Sequence, residues 1–136
     1  MTLVIDASVA LTWCFDDESA AVTEGIGRRV ALETAVVPGI FHLELANILL
    51  LGERNRHITA EAISASLKRI DRMGIEVDED TAANAWAATL ELARAEKLTS
   101  YDAAYLELAL RLEADLATLD ADLAEAARRR GLVVVP

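Results

Sequence analysis

The strongest constraint on the fold is the alternation of short apolar runs with longer segments of helical pattern. Five runs rich in Val, Ile and Leu predict strands and cover residues 3–5, 35–37, 75–77, 116–119 and 132–135. The last run is apolar throughout, which suits a parallel sheet covered on both faces. Strands that alternate with helices predict an α/β fold of three layers, in which a central, mainly parallel sheet is flanked by helices.

Helical patterns fill the segments between these runs. They cover residues 7–14, 19–32, 40–53, 59–73, 81–96, 100–113 and 121–130. Thr59 and Ser100 stand where helix N-caps are expected, and Asp78 or Asp80 can cap the Ala-rich helix that follows them. Gly131 stands where a C-terminal cap is expected.

Length and composition limit the class of protein. The 136 residues predict one domain, and no Pro-, Gly- or Ser-rich linker divides it, so the domain covers 1–136. The one cysteine, Cys14, is expected in the core and allows neither an intrachain disulfide nor a CxxC metal site. No apolar run approaches the roughly 20 residues that span a bilayer, and the N-terminus lacks the basic region of a signal peptide. We therefore expect a cytoplasmic protein with no membrane partner.

The charge narrows the function further. The formal net charge is −10, from 13 basic and 23 acidic residues. This balance argues against loose, sequence-independent binding of nucleic acid and against binding to an anionic membrane surface. It does not exclude a nucleic-acid enzyme whose acidic site carries cations. Asp16-Asp17-Glu18 are expected in a solvated turn.

Two aspartates follow predicted strands. Asp6 comes directly after the first apolar run, and Asp120 comes directly after the fourth. Because the carboxyl ends of parallel strands lie on one edge of a sheet, the two carboxylates are expected to share that edge, where ligands of such folds bind. Each aspartate also suits a plain helix N-cap, and the sequence leaves both interpretations open.

Two further acids lie on helices that otherwise look buried. Glu44 belongs to the helix 40–51, which is apolar almost all round, and no Lys or Arg lies within one helical turn of it. Its burial is costly without a partner, so we expect either a bound cation or an escape of Glu44 to solvent. Asp102 lies on the same helical stripe as Tyr105, which is expected to face the core. Alternatively, Asp102 is a first-turn acid favoured by the helix dipole.

These four acids form a candidate site for a hard cation such as Mg²⁺ or Mn²⁺, which prefers oxygen ligands. Without a cation, four clustered acids would repel one another and their pKa values would rise. A cation held there polarises a phosphoryl oxygen and activates water, so hydrolysis of a phosphodiester bond is the natural reaction class. Asp122 is either a fifth ligand or a first-turn acid. The candidate supporting residues carry hydroxyl or amide groups and are Ser8, Asn47, Ser100 and Thr118.

Other motifs carry less weight. Gly25-Ile26-Gly27 lacks the third glycine of a dinucleotide-binding loop and follows no strand, and the sequence contains no P-loop motif. His42 and His57 have no partner histidine at ligand spacing, so RNA cleavage by two histidines is unsupported. Arg128-Arg129-Arg130 end a helix, where they either compensate the dipole or contact phosphate. Glu107 and its i+4 partner, an arginine, look like a solvated helix face.

Four motifs in order resemble those of PIN-domain proteins, and specifically of VapC-type toxin ribonucleases. The first is Val4-Ile5-Asp6-Ala7-Ser8, and the second is Val37-Pro38 followed by Glu44-Leu45-Ala46-Asn47. The third is Tyr101-Asp102-Ala103-Ala104-Tyr105. The fourth is Leu116-Ala117-Thr118-Leu119-Asp120, with Gly131-Leu132-Val133-Val134-Val135-Pro136 after it. The resemblance runs from Leu3 to Pro136.

The resemblance implies a three-layer PIN-like fold and an endoribonuclease that depends on Mg²⁺ or Mn²⁺. It assigns metal binding and catalysis to Asp6, Glu44, Asp102 and Asp120. Ser8, Asn47 and Thr118 would support these acids or contact RNA. The resemblance also implies a homodimer inhibited by a cognate VapB-like antitoxin that covers the active site, and the helix 40–51 could supply part of either interface. Neither the RNA nor the antitoxin is identified by the sequence.

Two other classes of protein fit less well. A receiver domain needs a lysine at the end of a late strand, where this chain has Val135-Pro136. A phosphatase of the haloacid dehalogenase type needs Asp-x-Asp after the first strand, where this chain has Asp6-Ala7-Ser8. A non-catalytic interaction module on the PIN-like fold is expected to lack one or more of the four acids, and none is missing.

Overall fold

A sheet of five parallel strands forms the centre of the molecule, in a computed structural model that describes residues 1–15 and 18–136. The strands are β1 (Thr2–Ile5), β2 (Thr34–Val37), β3 (Glu76–Val77), β4 (Asp115–Ala117) and β5 (Val134–Val135). Their spatial order is β3-β2-β1-β4-β5, and all four pairings are parallel. The predicted α/β fold with a central parallel sheet flanked by helices is confirmed, and each strand overlaps one predicted run.

Helices connect the strands. They are α1 (Ala7–Thr12), α2 (Glu18–Val22), α3 (Glu24–Leu32), α4 (Phe41–Arg54), α5 (Ala60–Asp71), α6 (Thr81–Ala85), α7 (Ala88–Glu96), α8 (Ser100–Leu112) and α9 (Ala121–Arg129). The turn predicted at Asp16-Asp17-Glu18 lies outside the described residues at its first two positions, and its third residue begins α2.

Two predicted helices are each divided into two. The segment predicted as one helix over 19–32 breaks at Thr23, which is fully buried and whose hydroxyl bonds that of Thr12 at 2.5 Å. The segment 81–96 breaks at Ala87, where the backbone has φ −117° and ψ −103°. Hydrophobic spacing continues across both breaks, so the pattern alone does not reveal them.

Strand β1 is the central strand of the sheet, because two strands lie on each side of it. Its residues Leu3, Val4 and Ile5 are completely buried. The register places Val4 beside Val36 of β2 and beside Leu116 of β4. Since all three strands run in the same direction, the residues that follow β1, β2 and β4 emerge at one edge of the sheet, which we call the carboxyl edge.

Local capping follows the sequence at some helix ends, whereas Asp80 occupies the predicted N-cap position of α6 but its side chain makes no capping hydrogen bond. The Thr59 hydroxyl accepts from the Ala62 amide, as predicted for a cap of α5. Gly131 has φ +82°, the left-handed conformation that favours glycine after a helix. At α8 the predicted cap is wrong by one position, since Thr99 supplies the capping hydroxyl and Ser100 is the first helical residue. Adjacent Thr and Ser residues are equally suited to this role.

Helix α4 is buried on one side only. Its buried residues Phe41, Leu45 and Leu49 recur at four-residue spacing. The expectation of a fully buried helix is therefore wrong, because the other face is open and Leu43 is 70% exposed there. None of the described helices is both long enough and apolar enough to cross a membrane.

An ion-pair network ties α8 to the segment after β3. Arg111 donates to both carboxylate oxygens of Asp78, at 3.1 and 2.8 Å, and to Glu107 at 2.8 Å. The predicted pairing of Glu107 with Arg111 is present, but Glu107 is only 5% exposed and does not lie on a solvated face. The guanidinium group of Arg111 compensates the buried charge of Glu107. It also lowers the pKa of Asp78 below its usual 3.8.

We predict that Asp78→Asn lowers the free energy of unfolding at pH 7 by about 2 kcal/mol, because a bond between charged groups is lost. Folding lowers the pKa of Asp78, so its stabilisation is complete above 3.8 and disappears as the pH falls through the lowered value. Urea unfolding should therefore show a difference between wild type and variant that shrinks below about pH 4. The control is Glu79→Gln, an exposed neighbour. A difference that persists unchanged in acid would contradict this account.

Candidate metal centre

Asp6 is the most strongly held acid at the carboxyl edge. It follows β1 directly and is only 5% exposed. The Ser8 hydroxyl and the Val9 amide donate to its Oδ1, at 2.5 and 3.2 Å. The Thr118 hydroxyl donates to its Oδ2 at 2.5 Å. The bond from Val9 makes Asp6 the N-cap of α1, so the cap interpretation and the site interpretation apply to the same residue.

Hydrogen bonds connect the segment after β4 to the Asp6 carboxylate. The Thr118 hydroxyl, which donates to Asp6, accepts from the amide of Asp120 at 3.0 Å. The Ser8 hydroxyl likewise accepts from the amide of Leu119 at 2.9 Å. Strand β4 ends two residues earlier than predicted, so Thr118 and Leu119 separate it from Asp120. The carboxylate of Asp120 caps α9 by accepting from the Leu123 amide at 2.9 Å.

Glu44 lies half-buried in the first turn of α4 and faces α8. The buried hydroxyl of Tyr105 donates to its Oε1 at 2.7 Å. Burial raises the pKa of Glu44, and the nearby charges of Asp102 and Asp6 raise it further, while the bond from Tyr105 opposes them. Glu44 therefore does not escape to solvent, which was the alternative interpretation. Its one hydrogen bond leaves oxygen lone pairs available to a cation.

Asp102 completes the group from the first turn of α8. Its amide donates to the Thr99 capping hydroxyl at 3.1 Å, so its backbone is fixed by the helix start. Burial raises the pKa of Asp102, and the charges of Asp120 and Asp6 raise it further. The charge of Asp122 contributes least. Asp102 is therefore close enough to three other acids to be destabilised by their charges.

The structure brings together the four predicted acids but not all of their predicted supporters. Asp6, Glu44 and Asp102 each have a raised pKa, with burial as the main cause. Ser8 and Thr118 bond directly to Asp6. By contrast Asn47, Ser100 and Asp122 are exposed on their helices, and no hydrogen bond joins any of them to the four acids within the described part of the chain.

The predicted basic residues do not line this site as free cations. Arg129 and Arg130 both donate to Glu96, at 2.9 and 3.3 Å. Two of the three arginines at the end of α9 are therefore engaged with a carboxylate rather than open to phosphate.

Cys14 is buried, as expected for a core cysteine.

Sequence reasoning did not assign the hydroxyl of Tyr105 or the cap at Thr99 to the site. Tyr105 was expected simply to face the core, and its bond to Glu44 joins residues 61 positions apart. Since the bond depends on how α8 packs beside α4, no local pattern shows it. The only available sign was that Tyr105 shares a helical stripe with Asp102.

The donor set fits a hard cation. All four acids offer carboxylate oxygens, which Mg²⁺ and Mn²⁺ prefer, and a cation would offset the neighbouring negative charges that help to raise the pKa values of Asp6, Glu44 and Asp102. No group of three His, Cys, Asp or Glu side chains among residues 1–15 and 18–136 is placed to hold a metal ion in this structure. Mg²⁺ keeps several waters and is usually bound by one or two carboxylates, so an open site of this kind suits it.

We predict that Asp102→Asn raises thermal stability in EDTA. The pKa of Asp102 is raised in the folded chain, so its charge opposes folding at neutral pH, and removing that charge relieves the repulsion. Mg²⁺ should raise the melting temperature of the wild type more than that of the variant, because binding to the folded state stabilises it. Asp122→Asn is the matched control, since this exposed acid should change neither value by much. Equal Mg²⁺ effects on wild type and Asp102→Asn would rule out Asp102 as a ligand.

Comparison with known proteins places this geometry in a family. The crystal structure of PAE2754 from Pyrobaculum aerophilum superposes with a TM-score of 0.73 over 99% of this chain and 92% of that one. The two sequences are 22% identical, so this likeness shows the fold alone. A search of curated proteins finds no match. The sequence pattern of the PIN domain matches residues 3–129. The chain therefore belongs to the PIN domain family, whose members are typically nucleases that use Mg²⁺.

Proposed function

We propose that this chain is a metal-dependent endoribonuclease of the VapC toxin type, which hydrolyses phosphodiester bonds of RNA. The observation that carries the proposal is the convergence of Asp6, Glu44 and Asp102, whose pKa values are raised by burial and by neighbouring acids. Such a concentration of negative charge is costly to folding, so it suggests a functional site. Membership of the PIN domain family supports nuclease chemistry at that site.

Four carboxylates would hold the cation, and they come from four elements. Asp6 follows β1, Glu44 and Asp102 lie on α4 and α8, and Asp120 precedes α9. A bound Mg²⁺ or Mn²⁺ would polarise the scissile phosphoryl group and lower the pKa of attacking water. Hydrolysis by water leaves a 5′-phosphate and a 3′-hydroxyl, and the ribose 2′-hydroxyl does not act as nucleophile.

The other residues of the site orient these acids. Thr118 and Ser8 hold one oxygen each of Asp6, so its carboxylate cannot rotate freely. The Tyr105 hydroxyl likewise holds one carboxylate oxygen of Glu44 in place. Orienting hydrogen bonds of this kind keep ligand oxygens in place between turnovers, and they oppose the rise in the pKa values of Asp6 and Glu44 that burial causes.

We predict that Asp6→Asn lowers the rate of RNA cleavage by at least about 100-fold, because a charged ligand at the reacting centre is lost. Cleavage by the wild type should require Mg²⁺ or Mn²⁺ and stop in EDTA. Mapping of the product ends should show 5′-phosphates. The measurement is the initial rate on total RNA with each protein at equal concentration, after circular dichroism confirms that the variant folds.

Glu61→Gln is the matched control, since Glu61 is an exposed acid in the first turn of α5, on a different helix from the four acids. The Glu61→Gln variant should cleave RNA at the same rate as the wild type. Full activity in Asp6→Asn would show that the site is assigned wrongly. Absence of both cleavage and Mg²⁺ binding in the wild type would favour the alternative, a non-catalytic interaction module.

The proposal includes two protein partners, a second copy of the chain and a VapB-like antitoxin that neutralises the enzyme. Support comes from the open face of α4, where Leu43, Leu50 and Leu51 are exposed beside the turn that carries Glu44. Exposed apolar side chains grouped on one helix face are typical of interaction surfaces. A protein seated there would lie next to the acids.

We predict that the purified chain has the mass of a dimer by light scattering, and that Leu43→Arg shifts it toward a monomer, because a charge at a buried contact is costly. Leu32→Arg is the control, since Leu32 is even more exposed than Leu43 but lies on α3. The product of a short upstream reading frame should copurify and inhibit cleavage. A monomeric wild type, or an upstream product that neither binds nor inhibits, would refute the corresponding partner.

A further inference from the structure

One tryptophan side chain near the site is almost entirely exposed to solvent. Trp86 follows α6 at the break before α7, and its side chain is 93% exposed. Exposure of so large an apolar ring is uncommon, since tryptophan is highly buried on average. It contributes nothing to the core in this position. An exposed indole of this kind indicates a contact with another molecule.

Trp86 borders a cavity of about 310 Å³ that also reaches Tyr101, which is 57% exposed. The cavity is further lined by Ile40, Ser100 and Ala104. Its volume lies at the lower end of the range for small-molecule sites, which suits one flat ring system rather than a large ligand. Two aromatic rings and small side chains thus surround a space open to solvent.

Residues that line this cavity are close neighbours in the chain of two of the four acids. Tyr101 directly precedes Asp102, and Ile40 lies one helical turn before Glu44, whose amide donates to the Ile40 carbonyl at 3.0 Å. Gly39, which follows β2 at the carboxyl edge, donates to Thr81 on the cavity wall at 3.0 Å. A molecule that extends from the acids along this edge therefore reaches the aromatic rings.

The charges near the cavity favour a neutral ligand group. In the described part of the chain no charged residue lines the cavity, and the acid Asp102 directly follows Tyr101. A phosphate group would be repelled there unless a metal accompanies it. A nucleobase is flat and uncharged, and every base has a face that can stack on an aromatic ring. Stacking thus allows RNA to bind beside acids where cations are scarce.

Resting on the proposed function, we propose that this cavity binds an unpaired nucleobase of the RNA, stacked against Trp86 and Tyr101. The base is adjacent to the nucleotide whose phosphate lies at the acids. A base inside a duplex is stacked and paired, so it cannot enter the cavity without being extruded. An RNA would therefore occupy the cavity with an unpaired base, from a single strand or from the loop of a folded RNA.

The test uses a fluorescein-labelled, unstructured RNA and the Asp6→Asn chain in Mg²⁺, so that the RNA stays intact. Adding Trp86→Ala should weaken binding about tenfold by anisotropy, whereas Trp86→Phe should retain most of the affinity. Unlabelled RNA should quench the tryptophan fluorescence of the chain with Trp86 but not of Trp86→Phe, in which Trp13 remains. The slope of affinity against salt should be equal in all three proteins, because no phosphate contact is lost. The same sequence closed into a duplex should bind weakly.

Leu32→Ala on the same background is the control for loss of an exposed apolar side chain, and it should bind RNA like the parent. Equal affinity of Trp86→Ala and parent, equal binding of duplex, or no RNA binding by the parent would overturn the inference. So would a change of oligomeric mass in Trp86→Ala with RNA affinity unchanged, which would assign the surface to a protein contact. Failure of the proposed function is separate: it is the absence of metal-dependent cleavage by the wild type, whatever the effect of Trp86.

Discussion

The hydrogen bond from Thr118 to Asp6 is the interaction on which the site depends. It joins residues 112 positions apart and connects the ends of β1 and β4, which are adjacent in the sheet. The bond opposes the rise in the pKa of Asp6 that burial causes, and the amide of Asp120 donates to the same hydroxyl. One threonine thus positions two of the four acids.

The surplus of negative charge has two different uses. Some acids form ion pairs away from the site, as Asp78 and Glu107 do with Arg111 and Glu96 does with Arg129. These pairs stabilise the fold. The acids at the carboxyl edge have no arginine or lysine among the causes that shift their pKa values, and their mutual repulsion destabilises the apo protein. A cation and a neutral base are ligands that such a surface can accept, which reconciles a charge of −10 with the RNA cleavage that we propose.

The sequence predicted what depends on local pattern. The strands, the parallel sheet and the place of Asp6 at the end of β1 follow from short apolar runs and from the strand that each residue follows. The burial of Glu107, the open face of α4 and the bond from Tyr105 to Glu44 could not be predicted in this way. Each depends on which element packs against which, and helical spacing is the same for a face that meets the sheet and one that meets solvent.

The central claim is that Asp6, Glu44, Asp102 and Asp120 form one cation site. The most direct test is a crystal of the wild type soaked in Mn²⁺, with anomalous scattering recorded to locate the ion. We predict an anomalous peak between these carboxylates, with ligand oxygens at roughly 2.1 Å, the distance of a small hard cation, and a weaker peak in Asp6→Asn, which keeps three of the four acids. An ion bound elsewhere, or no ion beside these acids at saturating Mn²⁺, would contradict the account.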